Sequence, residues 1–170
     1  VFGAVGLTAY FGIHDTAELK AGDTLLMSAA AGAVGSLGGQ LAKNMGCHVV
    51  GMAGTDDKCQ WLMDDLGFDA VINYKTESGN LSAAIAAACP DGVDVYFDNV
   101  GGEILDAALL NINSNARIVF CGSISTYNAS EPVPGPYNWW QVLAKSAVVK
   151  GFLVSNYFEQ FETGAGALAQ

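Results

Sequence analysis

Basic residues are scarce in this chain of 170 residues: seven Lys and Arg stand against 17 Asp and Glu, a formal net charge of −10. That balance argues against a nucleic-acid surface, because phosphate contacts need clustered Lys and Arg. The acidic excess reads as a solubility feature. Charge is thin altogether, at 14% of residues against 51% hydrophobic ones, which suits elements buried on both sides. No apolar run reaches the roughly 18 residues of a membrane span, so no membrane partner is expected. No signal-like N-terminus, internal repeat, low-complexity tract or linker is recognisable. Cysteine is limited to Cys47, Cys59, Cys89 and Cys121. They form no C-x-x-C pair and have no His at zinc-ligand spacing, so no metal is expected. They read as small buried hydrophobes, and a reducing cytoplasm is the expected compartment. His14 and His48 are each isolated, with no partner for acid–base work in sequence.

The most informative segment runs Leu25-Leu-Met-Ser-Ala-Ala-Ala-Gly-Ala-Val-Gly-Ser36. A short apolar run ends in small residues, and two glycines three apart then open a helical pattern. That order reads as strand, tight turn and helix N-terminus, the site at which a dinucleotide pyrophosphate approaches the backbone. Ala30, Gly32, Ala33, Val34 and Gly35 are the candidate turn residues. The strict fingerprint G-x-G-x-x-G is not met, because Ala30 stands in place of the first glycine.

The elements around it alternate. Strands are expected at 23–30, 47–52, 70–74, 93–97, 117–121 and 147–154. Helices are expected at 36–45, 56–66, 81–88, 103–110 and 136–145, several of them stopped by Gly or Pro. Continuous β-branched runs alternating with helices imply a parallel sheet covered on both faces. Six such strands fit one α/β domain with the doubly wound (Rossmann-type) dinucleotide fold, in the order 3-2-1-4-5-6. At this length the chain reads as a single domain with a sizeable core, 1–170. The stretch Ser125 to Tyr137 is too rich in Pro, Gly, Ser and Asn for regular structure. It reads either as a lid over a ligand cleft or as a passive connection. Trp139 and Trp140 after it are expected to pack against the sheet or a partner subunit. Strand six would be a long apolar edge, open to a second copy.

The end of strand two selects the dinucleotide. An NAD site places an acid about 20 residues after the glycine turn. Here the position falls on Thr55, within Met52-Ala-Gly-Thr-Asp-Asp-Lys58. A hydroxyl and an ammonium favour a 2′-phosphate, which a carboxylate would repel, so Thr55 and Lys58 point to NADP(H). The competing reading makes Lys58 a solvated helix residue paired with Asp56 or Asp57.

Several segments together carry a family resemblance. They are Gly6-Leu-Thr-Ala-Tyr-Phe-Gly12, Ala29 to Gly35, Asn73-Tyr-Lys75, Pro90-Asp-Gly-Val-Asp-Val-Tyr-Phe-Asp-Asn-Val-Gly-Gly102 and Cys121-Gly-Ser-Ile-Ser-Thr-Tyr-Asn128. In this order the chain resembles the zinc-independent medium-chain dehydrogenase/reductases. It is most similar to their branch of prostaglandin reductases, leukotriene hydroxydehydrogenases, alkenal double-bond reductases and curcumin reductase-like enzymes. The resemblance runs from residue 1 to about Tyr157. It implies the cofactor half of a larger reductase, without the GroES-like domain that shapes the substrate pocket. It implies NADPH and hydride addition to the β-carbon of an α,β-unsaturated ketone or aldehyde.

By the same resemblance, Lys58 and Tyr74 match residues at the 2′-phosphate, and Asn99 matches one beside the nicotinamide ribose. Cys121, Gly122, Ile124 and Ser125 would follow the cofactor, and Phe152, Leu153 and Val154 would present backbone to the carboxamide. Tyr127 matches a tyrosine close to the substrate carbonyl oxygen and is the candidate catalytic residue. Its phenol would stabilise the charge that builds there or relay a proton. A quinone reductase of the same superfamily and a dinucleotide-binding sensor without turnover stay open beside the enone reductase. Relatives often dimerise through this domain, so a homodimer is expected.

Overall fold

The computed structural model describes residues 3–169, so Val1, Phe2 and Gln170 of the expected domain lie outside the described residues. A helix α1 (Ala4–Phe11) runs into a π-helical turn, Gly12–Thr16. The alternation then begins: β1 (Thr24–Met27), α2 (Ala33–Asn44), β2 (His48–Ala53), α3 (Asp56–Asp64), β3 (Ala70–Asn73) and α4 (Leu81–Ala88). It continues with β4 (Val93–Asp98), α5 (Gly102–Leu109), β5 (Ile112–Phe120), α6 (Trp140–Ala144) and β6 (Val148–Gly151). A 3-10 segment, Val154–Gln160, leads into α7 (Phe161–Leu168).

The six strands form one parallel sheet in the order β3-β2-β1-β4-β5-β6, the expected doubly wound α/β topology. The period-2 geometry of a strand divides the apolar runs between two faces. Leu25, Met27, Val49, Val95, Phe97 and Val119 pack with Leu7, Phe11, Ala42 and Leu62 in one core. Leu26, Val50, Met52, Tyr96 and Ile118 pack with Ile85, Leu105, Ala108 and Leu109 in the other. At about 25 cal/mol per Å² of buried apolar surface, these two layers are the main source of stability. The chain leaves β1 toward one face and β4 toward the other, and the crevice between their C-terminal ends is where such sheets bind ligands.

Four elements depart from expectation. α1 was not anticipated, because Ala-Val-Gly-Leu-Thr-Ala-Tyr-Phe is apolar nearly all round and shows no helical stripe. β5 begins at Ile112, five residues before the expected start. A register shift between Val93 and Val95 accommodates the polar Asn113-Ser-Asn115, whose Asn115 takes φ 61°. α6 is only five residues long with no buried side chain. β6 ends at Gly151 rather than 154, so the open edge of the sheet is short. Trp140 is 63% exposed and does not pack against the sheet, whereas Trp139 lines a cavity described below. No helix among the described residues is long and apolar enough to cross a membrane.

Candidate functional site

The turn after β1 is closed by hydrogen bonds of its own backbone: Gly32 N–H donates to Ala29 O at 2.9 Å, and Ala30 N–H to Met52 O at 2.9 Å. Ala29, at φ 49°, carries the left-handed step, while Ala30, the substituted fingerprint position, is buried beside β2. Helix α2 starts at Ala33, three residues earlier than the sequence pattern implied. Its first internal bond runs from Ser36 N–H to Gly32 O at 2.9 Å, and no side chain caps it. The N–H groups of Ala33, Val34 and Gly35 therefore stand free at the positive end of the helix. Gly35 is required by packing: a Cβ there would lie 2.5 Å from Ala29 O and 2.7 Å from Ala30 Cα. The missing side chain lets α2 sit directly on the turn, leaving a cradle of backbone donors.

At the ends of β2 and β3 a second group gathers. Thr55 caps α3, its hydroxyl accepting Lys58 N–H at 3.4 Å. Asp56 is engaged by Asn73 Nδ2 at 2.6 Å, and Lys58 forms no ion pair among the described residues. The reading that neutralised Lys58 against its acidic neighbours is thus not what the structure holds; its ammonium is exposed and uncommitted. Tyr74 lies over Gly54, where a Cβ would approach its hydroxyl to 2.8 Å. Glycine at 54 thus seats the phenol beside the Thr55–Lys58 turn.

The third group sits where β4 and β5 end. Asn99 Nδ2 donates to Ser28 O at 2.9 Å, and Asn99 N–H to Ser28 Oγ at 2.8 Å, tying the end of β4 to the end of β1. The segment 121–125 wraps this turn. Cys121 and Gly122 N–H donate to Asp98 O at 2.9 and 3.0 Å, Ile124 N–H to Asn99 O at 3.3 Å, and Ser125 Oγ to Val100 O at 2.6 Å. Burial, with a smaller contribution from the Asp98 charge, pushes the Cys121 thiol up to about 11. Tyr127 is 66% exposed, yet its hydroxyl is held: it accepts Ser123 N–H at 3.2 Å. A Cβ at Gly122 would lie 3.0 Å from that hydroxyl and 3.2 Å from Asn99 O. Tyr127 and Asn99 therefore flank Gly122 at one spot.

Phe152, Leu153 and Val154 do not form a strand. Phe152 N–H extends the ladder to Phe120 O at 3.0 Å and its ring enters the core; Leu153 is exposed and Val154 begins the 3-10 segment. They still lie beyond the C-terminal end of β6, on the same side of the sheet as the other groups. Behind the site, α5, β5, β6 and the 123–139 loop enclose an apolar cavity of about 580 Å³, lined by Leu105, Ile118, Phe120, Val133, Tyr137 and Trp139 among others.

Three residues the sequence reading passed over knit the site together. Ser28, Tyr96 and Asp98 are buried and hydrogen-bonded to one another, with the Asp98 carboxylate at the centre. The signal was available: an acid ending the apolar run Val-Asp-Val-Tyr-Phe-Asp98 just before two glycines is out of keeping with burial unless it has partners. Among the described residues no group of three or more His, Cys, Asp or Glu is placed to hold a metal ion.

Comparison with known proteins agrees with this geometry. The 2-alkenal reductase (NADP(+)-dependent) of Nicotiana tabacum is 46% identical over 161 residues, 95% of this chain and 46% of that protein. The crystal structure of CurA from Vibrio vulnificus in complex with NADPH is 41% identical, with a TM-score of 0.92 over 100% of this chain and 51% of that one. Escherichia coli quinone oxidoreductase, crystallised with NADPH, is 26% identical with a TM-score of 0.81, over 98% of this chain and 50% of that one. The chain thus spans about half the length of the proteins it matches. The family model described as zinc-binding dehydrogenase matches residues 33–170, from the first residue of α2 onward. With the doubly wound sheet and the glycine-cradled turn where that model begins, the chain belongs to the zinc-binding dehydrogenase family.

Proposed function

We propose that this chain binds NADP(H) and is the cofactor-binding part of an oxidoreductase that reduces the C=C bond of α,β-unsaturated ketones and aldehydes. The observation that supports this most is the alignment of three groups along the C-terminal edge of one sheet. They are free N–H groups at a turn that admits no side chain, an uncommitted lysine beside a seated tyrosine, and a phenol poised over Gly122 and Asn99. The cradle fits a pyrophosphate, because the Gly35 Cβ position is closed by backbone while the helix end above it is open.

In this reading Gly32, Ala33, Val34 and Gly35 hold the pyrophosphate, and Thr55, Lys58 and Tyr74 hold the 2′-phosphate. Asn99, Cys121, Gly122, Ile124 and Ser125 line the nicotinamide half, with backbone of Phe152 to Val154 beyond. The cofactor, when bound, supplies the hydride. Tyr127 supplies a hydrogen bond: its oxygen accepts Ser123 N–H, so its own proton is free to donate. Aimed at the substrate carbonyl oxygen, that proton would stabilise the negative charge that develops there. Asn99 spends its amide N–H on Ser28 O, which leaves its Oδ1 as an acceptor for a ribose hydroxyl. The reading assigns no step to a metal.

A quinone reductase is the second reading, favoured by the likeness to the Escherichia coli enzyme. The 2-alkenal reductase is the more similar protein in sequence, and the enone reading is preferred for that reason. A homodimer is part of the proposal. β6 lies at the edge of the sheet, and Phe120, Trp140, Leu143 and Val148 stand exposed along β5, α6 and β6. Four free cysteines suit a reducing cytoplasm. Because the substrate pocket is expected to lie largely outside this cofactor-binding part, the test is NADPH consumption by the full-length reductase with an α,β-unsaturated ketone and with a quinone under identical conditions. Faster turnover of the enone supports the proposal; turnover of the quinone alone would replace it with the second reading. Sedimentation of the same sample reports the dimer.

A further inference from the structure

Asp98 closes β4 with its side chain wholly buried, at 0% exposure. Its Oδ1 collects four hydrogen bonds: Val100 and Gly101 N–H at 2.9 Å each, the Tyr96 hydroxyl at 2.8 Å and the Ser28 hydroxyl at 3.2 Å. Its Oδ2 is buried and has no hydrogen-bond partner. None of the ion pairs among the described residues involves it. All four partners donate to Oδ1, and no acceptor stands beside Oδ2 to take the proton of a neutral acid, so the arrangement suits the ionised form. Burial holds its pKa above the ordinary carboxylate value, and the bonds from Gly101, Val100, Tyr96 and Ser28 draw it only part of the way back. A buried carboxylate with half its acceptor capacity unused and no counter-charge is costly, and proteins retain such groups where something else answers the charge.

The position of this carboxylate is specific. Asn99 follows it directly, and the Asp98 main-chain oxygen carries Cys121 and Gly122 N–H. Gly101, bonded to Oδ1, takes φ 70°, ψ −155°, a conformation that only glycine adopts without strain. Asp98 is therefore built into the floor of the turn that the proposed function gives to the nicotinamide half of the cofactor.

We infer that Asp98 is a buried anion whose missing counter-charge is the nicotinamide ring of the oxidised cofactor, so that it favours NADP+ over NADPH in this site. The inference rests on the cofactor reading above. Only the oxidised ring is positively charged, so the Asp98 charge acts on one redox form while the shape of the turn acts on both. A product-favouring anion at this point restrains over-commitment to the reduced form and eases the charge that develops as hydride departs.

The experiment is calorimetric titration of the wild-type protein and the Asp98→Asn variant with NADP+ and with NADPH. Asparagine keeps Oδ1 as acceptor for all four donors and removes the charge. The expected result is a rise of about fivefold in the ratio of Kd for NADP+ to Kd for NADPH, on the order of one unit charge acting at a distance in a partly solvated site. An unchanged ratio, whether both constants hold or both weaken together, overturns the inference and leaves Asp98 a structural residue only. Should the wild-type protein bind neither nucleotide, the cofactor reading itself fails and takes the inference with it. Where Asp98→Asn does not fold, Tyr96→Phe serves: it keeps the anion and removes one of its donors, leaving the charge less answered, so the ratio must move further toward NADP+. An unchanged ratio or a shift toward NADPH in that variant overturns the inference equally.

Discussion

Replacing Gly35 by alanine tests the turn on which the cofactor reading stands. The added Cβ would sit 2.5 Å from Ala29 O and 2.7 Å from Ala30 Cα, and both neighbours are backbone. Relief to an ordinary contact near 3.4 Å requires the first turn of α2 to move away from β1 by about 0.9 Å. Overpacking of this kind costs about 1–3 kcal/mol, against which alanine returns about 1 kcal/mol of helix propensity. The net destabilisation is at most about 2 kcal/mol, or up to roughly 8 °C in Tm for a domain of this size. Binding should suffer more than folding, because the displaced atoms are the N–H groups of Ala33, Val34 and Gly35. Loss of one hydrogen bond to a charged group is worth about 1.5–3 kcal/mol, so NADPH should bind at least about tenfold more weakly. Gly32→Ala is the control: its Cβ would lie 3.1 Å from Ala29 O alone, a strain that a few tenths of an ångström relieve. Thermal unfolding and calorimetry on both variants separate the two effects. A Gly35→Ala protein with wild-type Tm and wild-type NADPH affinity would refute the packing argument.

Other expectations follow from the same geometry. Lys58→Ala should weaken NADPH about tenfold and NADH less than about twofold, since its uncommitted ammonium has only the 2′-phosphate to answer; equal losses would remove the assignment. In the full-length reductase, Tyr127→Phe should lower kcat about 100-fold while NADPH affinity stays within about twofold, the outcome expected of the proposed phenol bond to the substrate oxygen; unchanged turnover would clear Tyr127 of a catalytic role. Cys121, with its thiol pushed up to about 11, is held as the neutral thiol, so its alkylation, read by peptide mass spectrometry, should be very slow at pH 8. The rate should climb about tenfold per pH unit until the pH nears that value. Rapid labelling at neutral pH would contradict the burial that raises it.

The sheet was readable from sequence because its strands are buried on both faces, so each run of Leu, Val, Ile and Met stands out between glycine-stopped helices. The strand order followed from the fold those runs imply, and the structure carries it strand for strand. Elements whose burial is one-sided or whose polar residues interrupt a run were less visible. Asn113-Ser-Asn115 hid the start of β5, and α1 has no polar face to set its period. The expected α6 shrank because Asn138 is tied to Asp106 of α5 by its N–H and its side-chain amide, which holds 136–139 against α5 and leaves the helix to start at Trp140. At the site, the glycine turn and the Thr55–Lys58 end of β2 were legible because they follow directly from the strand–helix rhythm. The Ser28–Tyr96–Asp98 network was not, because it joins Ser28 to Asp98, 70 positions away, through a hydrogen bond that no local pattern encodes. The expectation that Phe152 to Val154 continue a strand failed for a related reason: beyond Gly151 the Phe152 ring turns into the α1–α7 side of the core and the ladder ends.

If the free helix end at Gly32–Gly35 and the Lys58–Tyr74 corner together select NADP(H), calorimetric titration of this protein with NADPH and with NADH must separate the two nucleotides. NADPH is expected to bind about tenfold or more tighter, the worth of one charge-assisted contact to the 2′-phosphate. Equal affinities, or a preference for NADH, would contradict it.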